Sequence, residues 1–413
     1  MRAVVATLVF ALGCRDTPAA DRAAPVEAVS PAPRLVSPPK PAPETAAVAG
    51  GRTAGWPELA DLPKVDASLI FTIPTRPSVP RFSVGGPALR GDVAVVSSSQ
   101  FGFAAVDWRR GALLWTKPAG IKVAPPLARG DGFVLIGDCL TPPAIPDAHV
   151  LLGCVRVVSA EGTDEAYIAI HGPAATLETF LGTPGEQAVW AESDRTVRWR
   201  RGEAAVLVDL ISGIAIPTSA ATPPVVVEHA KRRWEIAHVD GKIVATERGK
   251  RAWGTNREVT ALLGAVRIPE QGPMIRMANI SSFGGAPEVR ILDMDATGSM
   301  NGTASWTPVP GISLLGKTIS PVGDAALAVR LDSSIKRDFI AAYAASALLI
   351  YVFPLPEVLR PDPVGVAIAL DENGHAEAVV AFYDGDQLAV LPNVSAPPTA
   401  PGATAGPLEN STP

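Results

Sequence analysis

The chain has 413 residues and a formal net charge of −5 at pH 7, with 19% charged and 47% hydrophobic side chains. That balance supplies ample core material and excludes a wholly disordered polymer. No Lys/Arg run exceeds three residues, so there is no basic stripe for nucleic acid, and 37 Gly with 41 Pro suit short strands and many turns better than a helical body.

Met1-Arg2 starts the chain with a positive charge, ten mostly apolar residues from Ala3 to Leu12 follow, and Gly13-Cys14 ends the run. The run is too short to span a bilayer and has the charged start and small-residue break of a secretory signal. Ala11-Leu12-Gly13-Cys14 resembles a bacterial lipobox, with Ala11 where Leu is usual. The resemblance implies that residues 1–14 are a lipoprotein signal peptide ending at the lipid-bearing Cys14; a buried apolar strand ended by a Cys is the rival reading. Acyl chains contribute ~0.8 kcal/mol per buried methylene, which makes anchoring by several of them essentially permanent. Arg15 stands where an Asp retains lipoproteins in the inner membrane, so the expected address is the outer membrane, facing the periplasm.

Residues 15–55 are rich in Ala and Pro, including Pro38-Pro39-Lys40-Pro41-Ala42-Pro43, and read as a disordered tether that holds a globular body away from the bilayer. Residues 56–395 form that body. Residues 396–413, with Pro397-Pro398 and Pro401-Gly402, read as a second disordered segment.

Within the body the chain repeats itself. Pro87-Ala-Leu-Arg90-Gly91-Asp92-Val-Ala-Val95 returns as Pro126-Leu-Ala-Arg129-Gly130-Asp131-Gly-Phe-Val134, displaced by 39 residues. A turn signal before alternating apolar residues at such a period marks an array of blades. Between the copies lies Asp107-Trp108-Arg109-Arg110-Gly111, in which an acceptor for backbone amides and a residue free to take positive φ predict a tight hairpin turn. Four residues on, Trp115 is placed to wedge between neighbouring sheets, while Trp108, close to the loop, is expected exposed and part of a contact surface.

Residues 85–137 resemble the PQQ-like repeat of β-propellers, whose blades carry Ala-Leu-Asp-x-x-x-Gly-x-x-x-Trp. Elsewhere the match is partial: Asp209 to Gly213 has Pro217 where the Trp belongs, Gly249 to Trp253 keeps the second half, and Asp293, Asp295, Gly298 and Trp306 have stretched spacing. The resemblance implies an all-β propeller of four-stranded antiparallel blades. A body of this length at ~40 residues per blade gives eight blades, with seven as the alternative. It also points to the scaffold lipoproteins of the outer-membrane β-barrel assembly machinery, and so to cell-envelope proteins as partners.

Strands are predicted at Val93–Ser97, Phe133–Gly137, Val150–Val158, Ala204–Leu210, Lys242–Glu247, Ala325–Leu331, Ala376–Phe382 and Gln387–Leu391, among others, with hairpin signals at Asp371-Glu-Asn-Gly374 and Tyr383-Asp-Gly-Asp386. The Ala-rich stretch Ile335 to Tyr351 suits either a helix or paired strands around Ser346, and blade context selects strands. Cys139 and Cys154 flank a Pro-containing insert; in an oxidising compartment they either pair or remain two buried thiols. The densest basic spots, Arg198-Trp-Arg200-Arg201 and Lys231-Arg-Arg233, alternate with Trp199 and Trp234 in a way that puts charges on a solvated face, or at most makes a modest groove for a protein partner.

No nucleophile elbow, Walker loop or His-x-x-x-His spacing appears, and the five His residues stand apart. The quinone enzymes that share the repeat use adjacent Cys residues, which this chain lacks. The expectation is therefore a monomeric, non-catalytic scaffold without cofactor or metal. The rival readings are a channel that binds carbohydrate or another small ligand, and a degenerate quinone-dependent dehydrogenase.

Overall fold

The computed structural model describes residues 66–76, 78–79, 84–255, 259, 261–268, 272–283, 286–295, 305–308, 312–331, 337–345, 349–355 and 364–391. Cys14, the segment expected as a tether and the segment expected as a tail lie outside these residues. The described strands form seven four-stranded antiparallel sheets, a seven-bladed propeller.

The first strand, β1 (Leu69–Thr72), does not start a blade. Blade 1 holds β2 (Val84–Arg90), β3 (Val93–Ser98), β4 (Gly102–Asp107) and β5 (Ala112–Lys117). Blade 2 holds β6 (Leu127–Arg129), β7 (Gly132–Gly137), β8 (His149–Ser159) and β9 (Asp164–Pro173). The helix α1 (Ala174–Gly182) follows, then blade 3 with β10 (Gln187–Ala191), β11 (Thr196–Arg201), β12 (Ala204–Asp209) and β13 (Ala215–Thr218). Blade 4 holds β14 (Val225–His229), β15 (Arg232–Val239), β16 (Lys242–Glu247) and β17 (Lys250–Gly254). Blade 5 holds β18 (Ala261–Ile268), β19 (Gly272–Phe283), β20 (Ala286–Asp295) and β21 (Ser305–Pro308). Blade 6 holds β22 (Ile312–Ile319), β23 (Ala325–Leu331), β24 (Arg337–Tyr343) and β25 (Leu349–Pro354). Blade 7 takes β26 (Gly365–Leu370), β27 (Ala376–Tyr383) and β28 (Gln387–Leu391) from the end of the body and β1 from its beginning, with Leu69 opposite Val390 and Thr72 opposite Gln387. The ring is thus closed by pairing the two ends of the body.

Of the two expected counts, eight with seven as the alternative, the structure has seven. Division by a mean repeat fails because insertions lengthen some units. β6 begins at Leu127 but β10 only at Gln187, since blade 2 carries a long β8–β9 hairpin, the loop between Cys139 and Cys154, and α1. That helix escaped the sequence reading because it is short and buries only Leu177 and Phe180, too few residues to show a helical period. The stretch that suited either helix or strands is β24 and β25, with Tyr343 opposite Leu349 and Ala341 opposite Val352; Ser346 itself lies outside the described residues.

Alternation along the strands turns one set of side chains to each neighbouring blade, and the apolar ones gather into discrete clusters. Val95, Phe103, Phe133 and Leu135 lie between blades 1 and 2, and Ile136, Phe180, Trp199 and Val206 between blades 2 and 3. Trp234, Ile243 and Met277 join blades 4 and 5, and Ile291, Leu327 and Phe339 join blades 5 and 6. Tyr351, Val379 and Tyr383 join blades 6 and 7, and Val106, Trp108, Phe382 and Leu388 join blades 7 and 1.

Candidate interaction surface

The turn between β4 and β5 works as its residue types require. Asp107 Oδ1 accepts from the amides of Arg109 and Arg110, both at 3.0 Å, and Gly111, at φ 65°, donates to the Asp107 carbonyl at 2.8 Å. Blade 3 repeats the device: Asp209 Oδ1 accepts from Ile211 and Ser212 at 3.0 and 2.8 Å, and Gly213, at φ 72°, donates to Asp209 O. The Ser212 amide is the largest influence holding the Asp209 carboxyl down to about 2.

Trp108 does not form an exposed contact surface. It is 4% exposed, packs toward blade 7, and its Nε1 donates to Gly91 O at 2.9 Å. Proximity to a turn misleads here because the chain leaving β4 folds the indole against the neighbouring blade. Arg109 covers the ring at 4.5 Å, reaches Asp92 at 2.6 Å, and forms a bidentate pair with Glu377 of blade 7. Trp115 lies between blades 1 and 2, with its Nε1 donating to Ala160 O at 2.9 Å.

The repeated Arg-Gly-Asp triplets are two-residue hairpin turns, β2 to β3 and β6 to β7. Gly91 and Gly130 sit at φ 53° and 54°, and neither would meet an atom within 4 Å if given a Cβ. Arg90 Nη2 of the first triplet bonds Asp131 Oδ1 of the second at 3.3 Å, on the surface. These residues therefore shape the blades and link neighbouring turns.

Cys139 and Cys154 are bonded, with Cα atoms 5.0 Å apart and a separation of 15 in sequence. The hairpin extended past this bridge brings together two His residues that stand apart in sequence. His149 Nδ1 and His171 Nδ1 are 2.8 Å apart, and burial, followed by the His149 neighbour, lowers the His171 pKa. Only the strand register of β8 and β9, with Leu151 opposite His171 and His149 opposite Pro173, could have revealed this pairing. Among the described residues no group of three or more His, Cys, Asp or Glu side chains could hold a metal ion.

At the centre of the ring a cavity of about 370 Å³ is bordered by Gly85, Gly86, Gly185, Gly316 and Gly365, by Pro125 and Pro126, and by Glu186, Gln187, Lys317 and Phe382. Gln187 is committed to Val123 O at 3.2 Å and to the Trp199 indole at 3.0 Å, and Lys317 donates to Leu262 O. The backbones crowd here: a Cβ on Gly365 would lie 1.4 Å from Gly86 O, and one on Gly316 would lie 2.6 Å from Val364 O. The rim differs. Its outermost strands carry exposed aliphatic side chains, with Leu113 and Leu114 on β5, Ile216 on β13 and Ile70 on β1.

No family model and no curated protein matches the chain in sequence. Among solved structures, it is similar to a chain of the mitotic checkpoint complex, with 11% identity, coverage of 79% of this chain and 91% of that one, and a TM-score of 0.44. It is also similar to BamB from Moraxella catarrhalis, with 13% identity, 74% and 84% coverage and a TM-score of 0.33. A third similarity is to the C-terminal WD40 domain of Sif2, with 12% identity, 82% and 99% coverage and a TM-score of 0.41. At these identities and scores the likenesses carry no argument about function.

Proposed function

We propose that this chain is an exported, lipid-anchored propeller with PQQ-like blades that binds other cell-envelope proteins without a chemical step. The observation that carries the reading is the rim: β5, β13 and β1 end their sheets with an open backbone edge and exposed Leu114, Ile216 and Ile70. An edge of this kind accepts an extended partner segment through main-chain hydrogen bonds, with side-chain contacts for selectivity. The carboxylates of Asp107, Asp209 and Asp371 cap turns, and Arg276 and Arg330 are ion-paired with Asp293 and Asp338. Those groups hold the ring together.

The anchor rests on the Met1–Cys14 sequence. A narrower role in outer-membrane β-barrel assembly rests on the resemblance of residues 85–137. A ligand in the central cavity is the second reading, favoured by Glu186 and Lys317 at its wall; Phe382 is the one aromatic side chain among the lining residues, a poor platform for sugars.

Affinity capture from detergent-solubilised envelopes of cells expressing the full chain tests the function. Stoichiometric recovery of an envelope protein supports the scaffold, and recovery of a small molecule with no protein overturns it. The anchor is tested in the same cells by Cys14→Ala, which should move the protein from the membrane to the soluble fraction; unchanged membrane retention refutes it.

A further inference from the structure

Six of the seven junctions between blades are filled by apolar clusters, and the junction between blades 3 and 4 has none among the described residues. The cause lies in the strand alternation. On β11, Val197 and Trp199 turn toward blade 2, which leaves Arg198 and Arg200 on the opposite face. Strand pairing extends that face across the sheet as Trp190, Arg198, Leu207 and Ile216. On blade 4, Val227, Trp234 and Ile236 turn toward blade 5, leaving Val226, Glu228, Arg233 and Glu235 to look back at blade 3.

A blade face inside a propeller is ordinarily dry, but this one is wet. Val226 is 45% exposed, and the side chains of Arg233 and Glu235 are 61% and 49% exposed. The seam is therefore a cleft with one solvent-exposed, ionic wall and one half-buried wall built on an indole and arginines.

The charges in the cleft are not all compensated. Arg198 Nη1 donates to the carbonyls of Ser219 and Ala221 at 3.3 and 2.8 Å, and its Nε, buried without a hydrogen-bond acceptor, is ion-paired with Glu192 at 2.5 Å. Arg233 lies 3.9 Å from both Glu228 and Glu235. Arg200 has no carboxylate partner among the described residues: its guanidinium lies 5.2 Å from the Trp190 ring centroid, and its Nε is buried without a hydrogen-bond acceptor among them. A cation stacked on an indole, on the same sheet face as the apolar Leu207, is complementary to a carboxylate flanked by an apolar side chain.

We infer that the cleft between blades 3 and 4 receives an extended segment of a partner protein carrying Asp or Glu beside a Leu- or Phe-like residue, its carboxylate on Arg200 and its apolar side chain against Trp190, Leu207 and Val226. Of the two basic spots of the sequence, Arg198 and Arg200 stand on one wall and Arg233 on the other, while Arg201 and Arg232 stack on Trp199 and Trp234 on the opposite faces. The inference rests on the protein-binding reading above but fails separately from it.

The test screens the full chain against an array of synthetic 12-residue peptides of varied charge. Binders should be enriched in acidic residues next to aliphatic or aromatic ones. Arg200→Gln should weaken them about tenfold or more, with Arg200→Lys restoring part of the loss. Val226→Trp, at an exposed position, should block the cleft without disturbing the fold, as checked by near-ultraviolet circular dichroism. Absence of acidic binders, equal binding of basic peptides, or binding indifferent to Arg200→Gln and Val226→Trp overturns the cleft. A photo-crosslinker at position 226 of the full chain in cells then identifies the occupant. A crosslink to an acidic segment of another protein supports the inference, while a crosslink to this chain's own residues, or none alongside a partner captured at the rim, refutes it and leaves the scaffold reading standing.

Discussion

At the scale of single residues, the turn carboxylates are the clearest case of side chains fixed by backbone demand. Asp209 accepts two amides and the Ser212 hydroxyl and meets Arg195 Nε at 2.9 Å, and its pKa falls to about 2. The unfolded value is ~3.9, so the group contributes stability that is present above that pH and lost as pH falls through about 2. Asp209→Asn should therefore cost on the order of 1 kcal/mol at pH 7. The gap in melting temperature between variant and wild type, measured from pH 7 to pH 2, should narrow below ~4; a constant gap shows that the carboxylate charge is not what the turn uses. Such turns were legible in sequence because Asp and Gly at fixed spacing leave few other conformations. Trp108 was not, because the face an indole takes at a strand's end depends on how the next blade packs there, and the Arg109–Glu377 pair joins residues 268 apart in sequence.

At the scale of elements, blades 1 and 4 share a device at their Gly-to-Trp spacing. Trp115 stands opposite Ala105 and Trp253 opposite Ala245, and in both blades a register shift follows that Ala. The small residue makes room for the ring, and the bulge turns the outer strand toward the next blade. Strands and hairpins were thus readable wherever alternation and turn residues agreed. α1, the blade count and the His149–His171 pair were not, since each depends on how much chain is inserted between repeats. The largest insertion sits under the Cys139–Cys154 bond, with Cys154 on β8 opposite Gly137 of β7. Closing a loop of this length removes ~3 kcal/mol of unfolded-state entropy on the chain-entropy model. Replacing both Cys residues by Ser should lower the melting temperature by several degrees, with reductant reproducing the shift in the wild type and having no effect on the variant. Equal melting temperatures would mean that β8 and β9 hold the hairpin without help.

At the scale of the whole molecule, a ring with one wet junction depends on its other closures, and two are built in different ways. Between blades 5 and 6, Arg276 is fully buried and bonds Asp293 through two atoms at 2.7 and 2.6 Å, the carbonyl of Gly323, and Ala345 O at 2.7 Å. From the same turn, Asp324 accepts from Ala345 and from Ala376 of blade 7, both at 2.8 Å, so one polar chain spans three blades. Removing one charge strands the other, so Arg276→Met should cost ~3–5 kcal/mol, and adding Asp293→Leu should recover part of it in urea denaturation. A double variant no better than the single one would show that the carbonyl bonds matter more than the ion pair. Between blades 7 and 1 the closure is steric, since β26 and β2 meet where neither residue has a side chain. Gly365→Ala would place a methyl group 1.4 Å from Gly86 O, a clash with backbone that no rotamer relieves. The inner strands must then part, and because β1 is held to β28 at the same blade, the loss should spread to the whole ring, exceeding ~3 kcal/mol. Trp108, buried at this junction, reports the event: its fluorescence should shift toward that of an exposed indole in Gly365→Ala but not in Gly182→Ala, where the added carbon meets nothing within 4 Å. Wild-type stability and emission in Gly365→Ala would mean that the ring is not drawn closed at this point.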